Sequence, residues 1–188
     1  ILDFAGEVGL VVILHNDIDV PFASGGSDPV YLTQMKALLR RHPETTIIWA
    51  HTGLGRVVHP PIMDASAPAA ERSPRHLEIL EGMLKDPTLQ HVNFDISWTE
   101  VAKYVIATPE SLSRTALLLN RYPDRFLFGT DEVAPKDQAG YLRINEMYQP
   151  LWAALTPGAS AKVRKQNYER LFDAARVRVR AWEQANRR

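Results

Sequence analysis

Leu38-Leu39-Arg40-Arg41-His42-Pro43-Glu44-Thr45-Thr46-Ile47-Ile48-Trp49-Ala50-His51 is the stretch that decides the fold. A helix-like end breaks at Pro43, and a short run of β-branched and aromatic residues follows, closing on one polar side chain. The unit recurs as Leu118-Leu119-Asn120-Arg121-Tyr122-Pro123-Asp124, followed by Arg125-Phe126-Leu127-Phe128-Gly129-Thr130-Asp131. Eight residues past each proline sits a polar residue, His51 in the first unit and Asp131 in the second. Equal register in two helix–turn–strand units puts both at the carboxyl end of a strand, the edge where α/β folds bind ligands. The same offset from Pro87 lands on Asp95, but the run from Val92 continues to Ser97, so Ser97 or Trp98 is taken as that strand's end.

Working outward, Gly9 to Leu14 and Val92 to Ser97 are apolar runs of the same kind as Thr46 to Ala50 and Phe126 to Gly129. Few charges and many branched or aromatic residues fit strands buried on both faces of a parallel sheet. Helices separate them. Asp28-Pro29 and Thr108-Pro109 each supply an N-cap and a first-turn proline. Tyr31, Met35 and Leu38 form the apolar stripe of the first helix, and Leu112, Ala116 and Leu119 that of the second. A third helix runs from Pro74 through Leu77, Leu80 and Leu84. Asp137 to Leu155 and Ser160 to Asn186 follow the last strand as helices divided near Pro157-Gly158. The order βαβαβαβ, then helices only, gives the α/β class with parallel strands, in a single domain over 1–188.

The 188 residues are 45% hydrophobic and 23% charged, which suits a domain with a sizeable core. Lys plus Arg and Asp plus Glu number 22 each, so no basic field draws nucleic acid or an anionic membrane surface. The lack of cysteine excludes disulfides, thiolate zinc sites and a cysteine nucleophile. No apolar run approaches the roughly 18 residues of a membrane helix. The opening Ile1-Leu2-Asp3-Phe4 has neither an initiator Met nor the basic start of a signal peptide. A small-molecule substrate is the expected partner.

Three strand tips carry the chemistry. His15 follows Leu10-Val11-Val12-Ile13-Leu14, His51 closes Ile47-Ile48-Trp49-Ala50, and Asp131 closes Phe126-Leu127-Phe128-Gly129-Thr130. Taken singly, each has an ordinary structural role: a hydrogen-bonded histidine at a strand end, or an aspartate forming a turn. Three at one edge point to function. Two imidazoles and a carboxylate suit a divalent metal, and they equally suit an acid/base pair, since imidazole titrates near neutrality. A bound zinc or manganese would lower the pKa of a water to about 7.

Around them stand weaker candidates. Arg56 is suited to clamping a substrate carboxylate, or to a surface ion pair. Trp98 would wall a pocket, or fill the core. Val57 to Ser73 is long for a βα loop and reads as a lid or an insertion. Gly25-Gly26-Ser27 lacks the spacing of a phosphate-binding loop. His42 and His91 sit at the wrong edge, and His59 and His76, flanking the Pro/Ala-rich loop, are expected to be exposed. Arginines 176, 178, 180, 187 and 188 spread around a solvated terminal helix.

Val11-Val12-Ile13-Leu14-His15, Ile47-Ile48-Trp49-Ala50-His51-Thr52-Gly53, Val92-Asn93-Phe94-Asp95-Ile96-Ser97 and Arg125-Phe126-Leu127-Phe128-Gly129-Thr130-Asp131 together resemble the amidohydrolase superfamily. The branch they resemble is that of aminocarboxymuconate-semialdehyde decarboxylase. Gln166-Asn167-Tyr168-Glu169-Arg170-Leu171-Phe172 is similar to its closing helix. The resemblance implies a partial (β/α)8 TIM barrel, these strands being its fifth to eighth. It implies His15 as a metal ligand, His51 as acid/base or ligand, and Asp131 as a carboxylate that binds metal or activates water. The family's first-strand His-x-His is absent, because no two histidines here are spaced by two. A whole barrel takes about 250 residues, so the expectation is a C-terminal half and half a site. Its open sheet edges and apolar inner face would favour a homo-oligomer.

The expected function is thus a metal-dependent hydrolase of a small carboxylated or cyclic substrate. Non-oxidative decarboxylation on the same scaffold is a second reading. A metal-free enzyme, or a non-catalytic α/β binding module, is the third.

Overall fold

A computed structural model describes residues 1–18, 30–54 and 75–187. Among them four strands form one parallel sheet in chain order: β1 (Val11–Leu14), β2 (Thr46–Trp49), β3 (Val92–Asp95) and β4 (Phe126–Leu127). Helix α1 (Leu2–Val8) precedes β1, α2 (Val30–Arg41) leads to β2, and α3 (Arg75–Lys85) leads to β3. Two helices, α4 (Thr99–Val105) and α5 (Pro109–Arg121), connect β3 to β4. After β4 come α6 (Gln138–Met147), α7 (Gln149–Ala154), α8 (Pro157–Ala161), a π turn (Lys162–Gln166) and α9 (Asn167–Ala185). Parallel neighbours joined by helical crossovers make this a partial TIM-barrel sheet.

Strand alternation sorts the side chains onto two faces. Leu14 pairs with Trp49, Trp49 with Phe94, and Phe94 with Phe126. Trp49, Phe94 and Phe126 are fully buried, with ring centroids 6.4 and 5.7 Å apart in succession. They form the layer that packs against Leu32, Met35 and Leu39 of α2 and Leu80, Met83 and Leu84 of α3. The opposite face carries Ile13, Ile48, Asp95 and Leu127, all lining one cavity. Ile13 keeps 59% of its surface exposed there, because nothing among the described residues covers it as α2 and α3 cover the other face.

The expected class and strand order hold, with each strand shorter than its apolar run. The α2 stripe differs: Leu32, Met35 and Leu39 are buried, while Tyr31 is exposed and Leu38 half-buried. The helices after β4 divide next to Pro157 as expected: Leu155 and Thr156 are extended between α7 and α8, and Thr156 caps α8 by accepting a hydrogen bond from the Ala159 amide at 3.2 Å. A second break, not expected, comes at Tyr148, before Pro150 in the first turn of α7. Helices α1 and α4 were not expected. The Asp28-Pro29 cap, the Gly25-Gly26-Ser27 segment, Arg56, His59 and the Val57 to Ser73 stretch lie outside the described residues.

Candidate active site at the strand tips

The tips of β1 to β4 are held by long-range bonds. The Trp49 indole N–H donates to the Asn16 carbonyl at 2.9 Å, and the Ile18 amide to the Gly53 carbonyl at 2.8 Å, tying the exits of β1 and β2 together. Gly53 has φ +73, and a Cβ there would meet the Trp49 ring at 2.4 Å, so only glycine lets the chain turn this close. Before it, His51 (φ 55) and Thr52 (φ 54) both adopt left-handed backbone. Simple alternation after Ile48 and Ala50 would put His51 on the helix-covered face. The left-handed pair instead brings its ring into the cavity with Asp95. Trp98 (φ 88, ψ 143) and Asp131 (φ 53) also have positive φ, past the ends of β3 and β4. Non-glycine residues in this region cost roughly 1–3 kcal/mol each and cluster at functional sites.

The cavity is about 560 Å³. Ile13, Ile48, Leu127, Phe128, Tyr168 and Phe172 give it an apolar wall, and His15, His51, Asp95, Ser97 and Asp131 give it polar groups. His51 is the deep member, 9% exposed, with its Nε2 3.7 Å from Asp131 Oδ2. Its ring meets that of His15 edge-on at 5.1 Å between centroids, and that of Trp98 at 5.1 Å on another side. Asp131 and His15 are more open, their side chains 42% and 60% exposed. His15 Nε2 also lies 3.2 Å from Asp17 Oδ1. The structure thus gathers His15, His51 and Asp131 at one cavity. Trp98 stands against His51 outside the cavity lining, and Arg56 falls outside the described residues.

Three residues of this region were missed. Asp95 and Ser97 form a network behind His51: the Ser97 amide donates to Asp95 Oδ1 at 2.9 Å, its hydroxyl donates to Oδ2, and His51 Nδ1 lies 3.1 Å from that hydroxyl. Burial pushes the Asp95 carboxyl up, and the hydrogen bonds from Ser97 oppose this. The Pro87 register had pointed at Asp95; β3 does end there, two residues before the end of its apolar run. Tyr148, wholly buried, donates through its hydroxyl to the Ile96 carbonyl and so pins the β3 exit. No local signal in the sequence marks that contact.

His76 corrects an expectation. It is 1% exposed, its Nε2 bonds to the Thr52 carbonyl at 2.8 Å, and burial lowers its pKa to about 4. The first turns of α3 pack under the β2 exit, and that is what buries it. The metal expectation is also narrowed. Among the described residues no three His, Asp or Glu side chains converge as a metal-binding group. His15 and Asp131 offer two donors, and the Nδ1 of His51 is taken by Ser97. These residues alone do not make a metal centre.

The sequence model of the Amidohydrolase family matches residues 1–174, and the chain belongs to that family. Membership supports a hydrolase-type enzyme in general terms, and the superfamily's members usually bind divalent metals. No curated protein and no solved structure matches the chain.

Proposed function

We propose that this amidohydrolase-family chain is the C-terminal half, strands five to eight, of a TIM-barrel enzyme that hydrolyses a small carboxylated or cyclic ester, lactone or amide. The observation that carries the reading is the buried imidazole of His51 with Nε2 3.7 Å from the Asp131 carboxylate, in a cavity sized for a small molecule. His51 is the acid/base. Its Nε2 takes the proton of a water whose oxygen attacks the substrate carbonyl, and returns it to the oxygen or nitrogen that leaves when the scissile bond breaks. Asp131 orients that water and offsets the imidazolium charge. The apolar wall from Ile13 to Phe172 holds the ring or chain of the substrate, Trp98 keeps the His51 ring in place, and Arg56 is proposed to bind the carboxylate. A divalent metal, zinc or manganese, stays the proposed cofactor, with His15 and Asp131 as its candidate ligands from this chain.

The resemblance to the aminocarboxymuconate-semialdehyde decarboxylase branch supports a second reading, as a lyase. There the same His51 would protonate the carbon from which carbon dioxide departs. The test uses the intact enzyme with γ-butyrolactone and phenyl acetate for hydrolysis and an ortho-hydroxybenzoate for carbon dioxide release. On whichever probe turns over, His51→Ala and Asp131→Asn are each expected to lower kcat by about 10²-fold or more with Tm unchanged. Near-normal kcat in both variants overturns the assignment.

A further inference from the structure

Asp95 and Ser97 lie outside the reaction as written above, yet they hold its central residue from behind. Asp95 is the target of three donors: the Ser97 amide at 2.9 Å, the Ser97 hydroxyl, and, more distantly, the His51 amide at 3.5 Å. The two backbone amides can only donate, one toward each carboxylate oxygen, and although burial pushes the Asp95 carboxyl up, they favour the acceptor-only, ionised form. With its proton given to Asp95, the Ser97 hydroxyl can only accept from the ring nitrogen 3.1 Å away. That nitrogen, His51 Nδ1, must therefore carry the hydrogen. Nε2 is left as the bare nitrogen on the side of Asp131 and the cavity.

We propose that Asp95 and Ser97 are positioning residues for His51: the carboxylate orients the hydroxyl, and the hydroxyl fixes the ring in the Nδ1–H tautomer, so that Nε2 is the atom that takes up the proton. The order is carboxylate, hydroxyl, imidazole. Direct contact is excluded as the main link, because Asp95 Oδ2 stands 3.8 Å from His51 Nδ1, beyond hydrogen-bond range, and the serine fills the gap. The backbone supports the same reading. His51 reaches Ser97 only through its left-handed turn, and the β3 exit that carries Ser97 is pinned by Tyr148. The proposal rests on His51 as the acid/base for its meaning, but its test does not need turnover.

The experiment is ¹⁵N NMR of histidine-labelled intact protein at pH 8, where an ordinary imidazole is neutral, with the His51 signals assigned by their loss in His51→Gln. The unmodified protein should show Nδ1 protonated and Nε2 bare. Ser97→Ala should release the ring to a mixture of tautomers, and Ser97→Thr, which keeps the hydroxyl, should restore the original state. Asp95→Asn can present an amide N–H to the serine oxygen, turn the hydroxyl toward the ring and invert the tautomer. If Asp95→Asn does not fold, the serine pair carries the test. On an active probe substrate, Ser97→Ala should lower kcat about 10²-fold with KM nearly unchanged, and Ser97→Thr should recover most of it. An Nε2–H ring in the unmodified protein, or an unchanged Nδ1–H ring in Ser97→Ala, overturns the proposal. The predicted tautomers in a chain that fails on every probe would leave the positioning network standing and count against the hydrolase reading instead.

Discussion

His76 packs edge-on against Tyr104, ring centroids 5.5 Å apart, and holds the carbonyl of left-handed Thr52. Burial disfavours its charged form and lowers its pKa to about 4, against 6.5 for the free side chain. The folded state therefore binds this proton less readily than the unfolded chain. The stability that His76 contributes is fully present above pH 6.5 and is lost as pH falls toward 4, in total by about 3 kcal/mol. Denaturant titrations at pH 7 and pH 4 check this. His76→Phe keeps the ring volume and should lose about 3 kcal/mol less between the two pH values, although it starts less stable for want of the Thr52 bond. Equal losses in both proteins would show that other groups set the acid sensitivity. At this scale the sequence carried His15, His51 and Asp131, because proline register and apolar runs locate strand tips. It could not mark His76 or Tyr148 as buried, since each is covered by elements distant in sequence. Asp95 lay at the right offset from Pro87, and only the continued apolar run hid it.

At the scale of elements, the junction of α1, β1 and α9 is the least tolerant. Gly9 ends α1 at φ +90, and a Cβ added there would stand 2.4 Å from Cβ of Arg178 in α9. Arg178 itself donates to the Gly6 carbonyl at 2.8 Å, and Trp182 packs edge-on against Phe4. Gly9→Ala must strain the left-handed cap and push a helix backbone away, so it should cost about 2 kcal/mol or more in chemical denaturation. A change below 0.5 kcal/mol, the range of ordinary surface substitutions, would mean that α9 does not dock on α1 this way. The same junction shows why arginines at steps of two read as a solvated terminal helix: nothing local tells Arg178, which finds a carbonyl, from Arg176, which pairs with Asp173. The α2 stripe failed for a related reason. Tyr31-Met35-Leu38 and Leu32-Met35-Leu39 are both helical spacings, and only packing on the sheet decides between them. Thr156-Pro157 repeats the device of Thr108-Pro109, a threonine cap and a first-turn proline, and so marks both the division and the start of α8. The π turn that follows gives the Val163 carbonyl to the Phe128 amide at 3.0 Å, which carries the backbone past β4 toward Asp131. Such a bulge has no pattern in the sequence.

For the whole molecule, the decisive asymmetry is between the two faces of the sheet. One is sealed by helices; the other keeps Ile13 exposed beside Tyr168, which is 58% exposed, and Phe172 of the cavity wall. β1 and β4 are edge strands, each with one neighbour among the described residues. Unpaired strand edges beside apolar surface are templates for association. Residues 1–188 produced alone should therefore self-associate at micromolar concentration, which sedimentation velocity would detect. Ile13→Lys places a charge on the edge strand at a position that packs little, so it should leave Tm within a degree or two while shifting the population toward monomer. A chain that stays monomeric at high micromolar concentration would mean that this face is adequately solvated as it stands. If the variant's dimer persisted, association would have to run through another surface, and the open inner face would no longer account for it. Dissociation by Ile13→Lys would instead identify the inner face as the surface a second half barrel covers, and the strand-tip cavity would then lie at the seam between the two.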